Sequence, residues 1–191
     1  MKILFVDTET GGVDPRKHSL LEVGLVAYEV GKGIIDSKEF YISHENYSVT
    51  EHAMKINNID LSIAKDWGHK PHWATHKLLN FIEESFDVIK SKDDRPILGG
   101  HNVGFDKSFI EYQLFDASGY DMQKYISHRT IDVMSLLWGL HIAGKLPKEA
   151  CYSAGANEYF GIKNEKAHTA LSDILATVQV YEKAIQLIKG G

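Results

Sequence analysis

Residues 3–12 read ILFVDTETGG: four apolar residues, then two carboxylates, Asp7 and Glu9, and then a pair of glycines. A continuous apolar run bounded by small residues is typical of a buried strand that ends in a tight turn. Because side chains alternate along a strand, carboxylates two positions apart point to the same face. Two like charges on a central strand repel each other and are costly to desolvate. A divalent cation bound by these oxygen atoms would remove both costs. On this stretch alone, a solvated turn with acidic residues is also an open interpretation.

Outward from this stretch, the pattern predicts three antiparallel strands and then alternating strands and helices. Residues 20–28 and 33–42 are rich in apolar and β-branched residues, and the Gly-Lys-Gly segment at 31–33 suits a hairpin between them. A further short strand is predicted over 96–100. Helices are predicted over 71–86, 105–115, 131–142, 151–160 and 167–188, whereas residues 43–67 show no sustained period. Together these elements predict an α/β fold with a mixed sheet.

The composition is that of a folded, mildly acidic protein. The chain has 191 residues, of which 43% are hydrophobic, and this favours one domain over 1–191. Its net charge of −5 disfavours a protein that wraps duplex nucleic acid. A net charge is an average, however, and does not exclude a narrow basic groove on an acidic protein. The single cysteine, Cys151, excludes an intramolecular disulfide and a cysteine-built zinc site. The N-terminal apolar run is too short for a signal peptide, and no stretch suits a membrane span, so we expect a soluble cytoplasmic protein with no membrane partner.

Two further carboxylates occupy positions that favour a shared site with Asp7 and Glu9. Asp106 lies near the first turn of the helix that follows strand 96–100, and Asp173 lies early in the last long helix. An acidic residue in a first turn is also common simply because it complements the helix dipole. In one regular helix, His168 and Asp173 would lie about 140° apart, so their convergence requires His168 in the preceding loop. Four carboxylates suit two ions about 4 Å apart, which clamp the attacking and leaving oxygens of a phosphodiester.

Five short segments occur in a characteristic order: DTETG at 7–11, LEVG at 21–24, HNVGFD at 101–106, TIDV at 130–133 and HTALSD at 168–173. Together they resemble the DnaQ-like 3′–5′ exonucleases over nearly the whole chain. A histidine rather than a tyrosine five residues before the last aspartate indicates the DEDDh subtype. The resemblance implies a ribonuclease-H-like α/β fold, with a central mixed sheet of three antiparallel N-terminal strands plus two parallel strands, flanked by helices.

The resemblance also implies an activity and a set of catalytic residues. The expected reaction releases nucleoside 5′-monophosphates from single-stranded 3′ ends of DNA or RNA and uses two divalent cations, Mg²⁺ or Mn²⁺. Asp7, Glu9 and Asp173 would hold the first ion. Asp7 would bridge to the second, whose ligands Asp106 completes directly or through water. His168 would be the general base, a task suited to an imidazole, whose ordinary pKa is about 6.5.

The same resemblance places a group of residues against the terminal nucleotide. They are Thr8, Thr10, Gly11, Ile56, Asn57, His101, Asn102 and Phe105. A turn that requires small residues explains Thr10 and Gly11 equally well. The chain departs from the family at 57–58, where Asn-Asn stands in place of a His-Gly-Ile-like segment, while Ile56 still offers an apolar side chain to a base. His101 is interpreted either as a contact to the scissile region or as a core or helix-capping histidine.

Other features have simpler structural interpretations. His69, His72 and His76 have a metal-like spacing, but the glutamate of a zinc-protease motif is absent, so a solvated helix start is favoured. Trp67 and Trp73 are candidates for base stacking, but their helical spacing near apolar residues predicts core packing. Two acidic residues that the family does not use as ligands are treated as structural: Glu22 and Asp132.

Two other classes of function stay open on the sequence. A nucleic-acid-binding accessory domain of a polymerase or repair assembly would keep the fold without turnover. An oligonucleotide-specific phosphodiesterase would lose rate steeply as its substrate lengthens. No motif specifies the sugar preference, a partner polymerase or the formation of a homodimer.

Overall fold

A five-stranded mixed sheet forms the centre of the computed structural model, which describes residues 1–86, 94–164 and 169–190. The strands are β1 (Lys2–Thr10), β2 (Leu20–Glu29), β3 (Gly33–Tyr41), β4 (Ile97–Gly100) and β5 (Thr130–Asp132). Their order in the sheet is β3-β2-β1-β4-β5. The pairs β1–β2 and β2–β3 are antiparallel, whereas β1–β4 and β4–β5 are parallel. The predicted combination of three antiparallel and two parallel strands is confirmed.

Helices cover both faces of this sheet. Those in the described ranges are α1 (Glu51–Asn57), α2 (Leu61–Trp67), α3 (Pro71–Phe86), α4 (Val103–Ile110), α5 (Val133–Ile142), α6 (Ser153–Phe160) and α7 (Ala170–Lys189). Alternation along β1 sends Leu4 and Val6 into a core with α3 and α4, and Ile3 and Phe5 into a core with α5, α6 and α7. None of these helices combines the length and the apolar character that a bilayer crossing requires.

The central strand continues through the acidic residues instead of ending before them. Its residues 3–6 are fully buried, as predicted. Asp7 and Glu9 remain in the ladder, where they pair with Gly24 and Glu22 of β2. The register shifts only between Glu9 and Thr10. The two carboxylates are therefore held by the backbone of a sheet, which fixes the strand face that they share.

Two short helices, α1 and α2, occupy the region in which the sequence shows no period. Thr50 Oγ1 accepts the Ala53 N–H at 3.1 Å, and Asp60 Oδ1 accepts the Ser62 N–H at 2.8 Å, so each helix has a side-chain cap. Helices of seven residues are too short to show a convincing apolar repeat. Their caps are the signal by which the sequence could have revealed them.

The other helix ends differ modestly from the predicted ones. The helix predicted over 105–115 begins two residues earlier and widens into a π-helical turn over Glu111–Phe115. The helix predicted from 131 begins at Val133, because residues 130–132 form β5. The helix predicted over 151–160 begins at Ser153, after a 3₁₀ turn over Lys148–Cys151. The start predicted for the last helix, at 167, lies outside the described residues, and α7 is described from Ala170 onward.

The prediction that Trp67 and Trp73 pack in the core is wrong. Their side chains are 78% and 63% exposed. Trp73 lies five residues before the buried Leu78, which is about 140° around the helix axis from it. Trp67 is the last residue of α2. Proximity to apolar neighbours in the sequence did not specify the face on which each indole lies.

Helix α7 is seated against the sheet through a close backbone approach at Gly24. A Cβ added to Gly24 would lie 2.4 Å from the carbonyl carbon of Ala170 and 2.6 Å from the amide nitrogen of Leu171. Nearby, Glu22 Oε2 accepts the Ala170 N–H at 3.3 Å, one of the first-turn groups that a helix leaves without an internal partner. These contacts place the start of α7 beside the acidic part of β1.

Substitution Gly24→Ala is expected to destabilise the protein by about 1–3 kcal/mol and to lower the rate of any reaction that uses Asp173 about tenfold. The reason is that the added methyl group meets backbone atoms, which cannot rotate away as a side chain does. Urea unfolding and steady-state kinetics measure the two effects. Gly139→Ala in α5 is the matched control, because among the described residues no heavy atom beyond its chain neighbours and its own helix backbone lies within 4 Å of the added Cβ. The control should be neutral or stabilised by about 0.5–1 kcal/mol, and equal behaviour of the two variants would contradict the close approach.

Candidate active site

Asp7, Glu9 and Asp173 bring one carboxylate oxygen each within 4.8 Å of one another. Strand β1 supplies the first two from one face, as strand alternation predicts. Asp173 comes from the first turn of α7, where the cap residue Thr169 accepts the Ser172 N–H at 3.3 Å. Residues from opposite ends of the chain therefore meet at one point, as the shared-site hypothesis requires.

Asp106 lies against the same segment of β1 but is not part of the close group of three. Its Oδ1 accepts the Thr8 N–H at 2.9 Å and the Thr8 hydroxyl at 2.7 Å. The carboxylate is buried, with 4% of the residue exposed. Because Thr8 stands between Asp7 and Glu9, these two bonds hold Asp106 at the edge of the acidic cluster.

Asp173 is held by a residue that the sequence analysis did not identify. Asn164 donates its side-chain amide to Asp173 Oδ1, and the Ser172 hydroxyl donates to Asn164 Oδ1. Asn164 lies in the segment before α7, and no motif marks it. The hydrogen bond between Asn164 and Asp173 is therefore visible only in the tertiary structure.

The environment of these carboxylates opposes their ionisation. Burial, followed by the charges of Asp106, Glu9 and Asp173, raises the pKa of Asp7 well above its usual range. Burial and the charge of Asp173 raise the pKa of Glu9 to about 8. Burial raises the pKa of Asp106 to about 7, although the hydrogen bonds from Thr8 act in the opposite direction. A divalent cation would relieve this repulsion, and carboxylate oxygens are ligands that Mg²⁺ and Mn²⁺ prefer, so the residues present fit such an ion.

A cleft of about 480 Å³ opens beside Glu9. It lies between the end of β1, the turn that follows it, helix α1 and the start of α4. Its lining residues are Thr8, Glu9, Thr10, Gly12, Val13, His18, Thr50, His52, Ala53, Ile56, Asn57 and Phe105. This volume is in the range of sites that hold small ligands.

Five of the residues predicted to contact substrate line this cleft: Thr8, Thr10, Ile56, Asn57 and Phe105. Ile56 is 49% exposed and is available to pack against a planar group. Asn57 is buried, and its amide donates to the Thr10 carbonyl at 3.1 Å while its Oδ1 accepts the Ile59 N–H at 3.1 Å. Asn57 thus links α1 to the end of β1 and fixes the distance between these two walls of the cleft.

The other three predicted contact residues are not among those that line the cleft. A Cβ on Gly11 would lie 2.4 Å from the Ser48 carbonyl oxygen, so this glycine packs against a neighbouring loop. Asn102 adopts a left-handed conformation, with φ of 61°, and its N–H donates to Asp132 Oδ1 at 2.7 Å. His101 stands at the start of the same β4–α4 turn, where burial lowers its pKa and the charge of Asp132 opposes that shift.

Several lining residues were missed by the sequence analysis: Gly12, Val13, His18, Thr50, His52 and Ala53. Val13 is 80% exposed and therefore accessible to a ligand. The capping threonine Thr50 was the available signal for α1, the helix that carries His52 and Ala53. The predicted general base, His168, lies outside the described residues.

The residues treated as structural have structural contacts. Glu22 is buried and accepts the first amide of α7. Asp132 caps α5 by accepting the Ser135 N–H at 3.3 Å. His72 and His76 share one face of α3, with their Nε2 atoms 3.2 Å apart.

Comparisons with known proteins agree with this architecture. A family model described as Exonuclease, the RNase_T family, matches residues 4–181. Ribonuclease T of Wigglesworthia glossinidia brevipalpis is 27% identical over 186 residues, covering 92% of this chain and 80% of that protein. Ribonuclease T of Haemophilus influenzae (strain PittGG) is 27% identical over 188 residues, covering 93% of this chain and 76% of that protein.

Solved structures of Escherichia coli exonuclease I share the fold. The complex with a dT13 oligonucleotide has a TM-score of 0.81 at 18% identity and covers 98% of this chain. A zinc-bound form of the complex with single-stranded DNA has a TM-score of 0.82 at 18% identity. The chain spans only 42% and 41% of those two proteins. Because the family model spans nearly the whole length, the chain belongs to the exonuclease family, the DnaQ-like 3′–5′ exonucleases.

Proposed function

We propose that the chain is one catalytic domain, over residues 1–191, that releases nucleoside 5′-monophosphates from single-stranded 3′ ends of DNA or RNA. The observation that carries the proposal is the convergence of Asp7, Glu9 and Asp173 at the edge of a cleft of about 480 Å³. A terminal nucleotide in that cleft would place its phosphodiester beside the carboxylates. The oligonucleotide complexes of exonuclease I, which has the same fold, support a single-stranded substrate.

The family depends on divalent metal ions, and the acidic cluster offers the ligands for them. Asp7, Glu9 and Asp173 would hold one cation, and Asp7 and Asp106 a second. When bound, Mg²⁺ or Mn²⁺ ions supply stabilisation of the charge that develops on the phosphodiester oxygens. Thr8 keeps the Asp106 carboxylate oriented through its two hydrogen bonds.

Other residues of the chain bind and orient the substrate in this proposal. Ile56 and Phe105 provide apolar contact to the terminal base and sugar from two walls of the cleft. Asn57 holds the first of these walls in place. His168 precedes the cap residue of α7 in the sequence, and hence the helix that carries Asp173. Its imidazole is proposed to accept the proton of the attacking water.

The decisive experiment uses 5′-labelled DNA and RNA of the same sequence, single-stranded and duplex, with Mg²⁺ or Mn²⁺. We expect a ladder that shortens from the 3′ end and forms faster on single strands. Replacement His168→Ala should lower the rate about 10²–10⁴-fold and remove the acid limb of the pH profile. The exposed His128 is the matched control, and His128→Ala should retain the full rate.

Three outcomes would contradict parts of the proposal. A full rate with an unchanged acid limb in His168→Ala would remove the general-base assignment. End binding without product under either ion would favour a non-catalytic accessory domain. A rate that falls steeply with substrate length would favour an oligonucleotide phosphodiesterase.

Cytoplasmic localisation, a homodimer and association with a polymerase or repair complex stay predictions.

A further inference from the structure

Trp67 and Trp73 are large apolar side chains that the fold leaves in solvent, at 78% and 63% exposure. They lie at the end of α2 and in the first turn of α3, joined by the short connector 68–70. The ring of Trp73 contacts those of His72 and His76, with centroids 5.8 Å and 5.9 Å away. Exposed indoles offer flat faces on which a planar base can stack.

Positive charge accompanies the two indoles. Lys65 and Lys70 line one cavity of about 400 Å³, together with Ser43, His44, Glu45 and Pro71. Lys77 lies four residues after Trp73 and so on the same face of α3. Burial and then the charge of Lys77 lower the pKa of His69 in the connector.

These lysines are available to an anion. The three salt bridges found among the described residues involve Lys17, Lys32 and Lys55, and none of them neutralises Lys65, Lys70 or Lys77. Three unneutralised lysines beside two exposed indoles, on a chain of net charge −5, have the composition of a single-strand binding surface.

The connector between the two helices is held rigidly to the end of β3. Ser43 N–H donates to the His69 carbonyl at 2.9 Å, and His69 N–H donates to the Tyr41 carbonyl at 2.9 Å. A Cβ on Gly68 would lie 2.2 Å from the Ala64 carbonyl oxygen, so the connector passes close to α2. A surface that is already ordered loses little conformational entropy when it binds a ligand.

The connector 68–70 lies at the same end of the sheet as the acidic cluster, and α3 packs on the sheet face opposite to that of Asp7 and Glu9. Tyr41 at the end of β3 pairs with Glu22 of β2, and Glu22 pairs with Glu9 of β1. Neighbouring strands are about 4.8 Å apart, so the connector lies roughly 10–20 Å from Glu9. At about 3.4 Å per stacked nucleotide, that distance corresponds to roughly three to six nucleotides.

We infer that Trp67 and Trp73, with Lys65, Lys70 and Lys77, bind the single strand roughly three to six nucleotides before its 3′ end. We call these five residues the α2–α3 patch. Bases stack on the indoles, and the lysines contact phosphates. The inference rests on the proposed function, because it assumes that the 3′ end occupies the cleft.

The first test compares substrates of different length on the double variant Trp67→Ala/Trp73→Ala. We expect KM for a strand of about 12 nucleotides to rise about 5- to 100-fold, the range for loss of base stacking. KM for a dinucleotide and kcat for both substrates should not change, because neither depends on the patch. The side chains are exposed, so the variant should fold, which circular dichroism checks.

The second test measures binding without turnover. In EDTA, single-stranded oligothymidylate of about 12 nucleotides should quench the tryptophan fluorescence of the wild-type protein. The variant Lys70→Ala/Lys77→Ala should bind more weakly and should show a salt-dependence slope smaller by about 0.7 for each phosphate that it no longer neutralises. Tyr159→Ala, at 48% exposure in α6, and the exposed Lys148→Ala are matched controls, and both should behave as wild type.

Each outcome decides one of the two proposals. If KM, quenching and salt slope of the patch variants equal those of the controls, the α2–α3 patch is not a nucleic-acid contact. If the patch variants change the oligomeric mass and leave oligonucleotide affinity intact, the surface binds protein and the inference is overturned. If no substrate of any length is cleaved, the proposed function fails, while the binding measurement in EDTA still tests the patch.

Discussion

Replacement of Asp7 by Asn is expected to lower the rate of 3′-end hydrolysis at least about 1,000-fold and to raise the melting temperature of the metal-free protein. The two effects have one cause. Asp7 shares a close oxygen cluster with Glu9 and Asp173 and faces the charge of Asp106. The charge that is needed to bind cations is therefore the charge that destabilises the empty site. A loss of 1,000-fold corresponds to about 4 kcal/mol of transition-state stabilisation, which is within the several kcal/mol that a metal ion supplies.

Single-turnover kinetics with Mg²⁺ and thermal melting in EDTA measure the two effects. The matched control is Asp36→Asn, because Asp36 is an exposed acidic residue of the edge strand β3. The control should leave the rate unchanged and alter stability by less than about 0.5 kcal/mol. A variant at Asp7 that keeps its rate would contradict the metal-site assignment, and one that melts at a lower temperature in EDTA would contradict the charge-repulsion argument.

The metal-free protein is expected to lose stability as the pH rises from about 5 to about 8. The pKa of Glu9 is raised from 4.5 to about 8, and burial raises the pKa of Glu22 and of Asp106 to about 7. Above pH 5 the unfolded chain has lost these protons, while the folded chain retains them until pH 7–8. Folding therefore takes up protons in this window, and the free energy of unfolding falls with rising pH. The total loss should be of the order of a few kcal/mol, since the groups titrate together.

Urea unfolding at pH 5 and pH 8, in EDTA and in excess Mg²⁺, measures this effect. A divalent cation should stabilise the protein more at pH 8 than at pH 5, because protons compete with it for the same oxygens. Glu9→Gln should flatten the pH dependence in EDTA. Stability in EDTA that is constant or increases between pH 5 and pH 8 would show that the carboxylates are not held in a repulsive cluster.

The residue pattern alone predicted four of the five strands and two of the three members of the close carboxylate group, Asp7 and Glu9. Asp7 and Glu9 share a face because a strand alternates, and this local geometry is independent of the rest of the chain. The long helices α3 and α7 follow from their repeats of apolar residues, since the buried stripe must recur about every 3.6 residues. The positions of Asp106 and Asp173 at the starts of two helices made them candidates, and the resemblance of the five segments assigned them roles, but periodicity cannot measure how close they come to β1.

Tertiary structure decided where these elements meet. Asp173 reaches Asp7 because Gly24 lets the backbone of α7 approach β2 and because Asn164 orients the Asp173 carboxylate. The first contact joins residues far apart in the chain, and no sequence motif marks Asn164 for the second. The two exposed indoles, Trp67 and Trp73, escaped prediction for the same reason. A helical repeat specifies which residues share a face, whereas the packing of the whole molecule decides which face meets the core and which meets water.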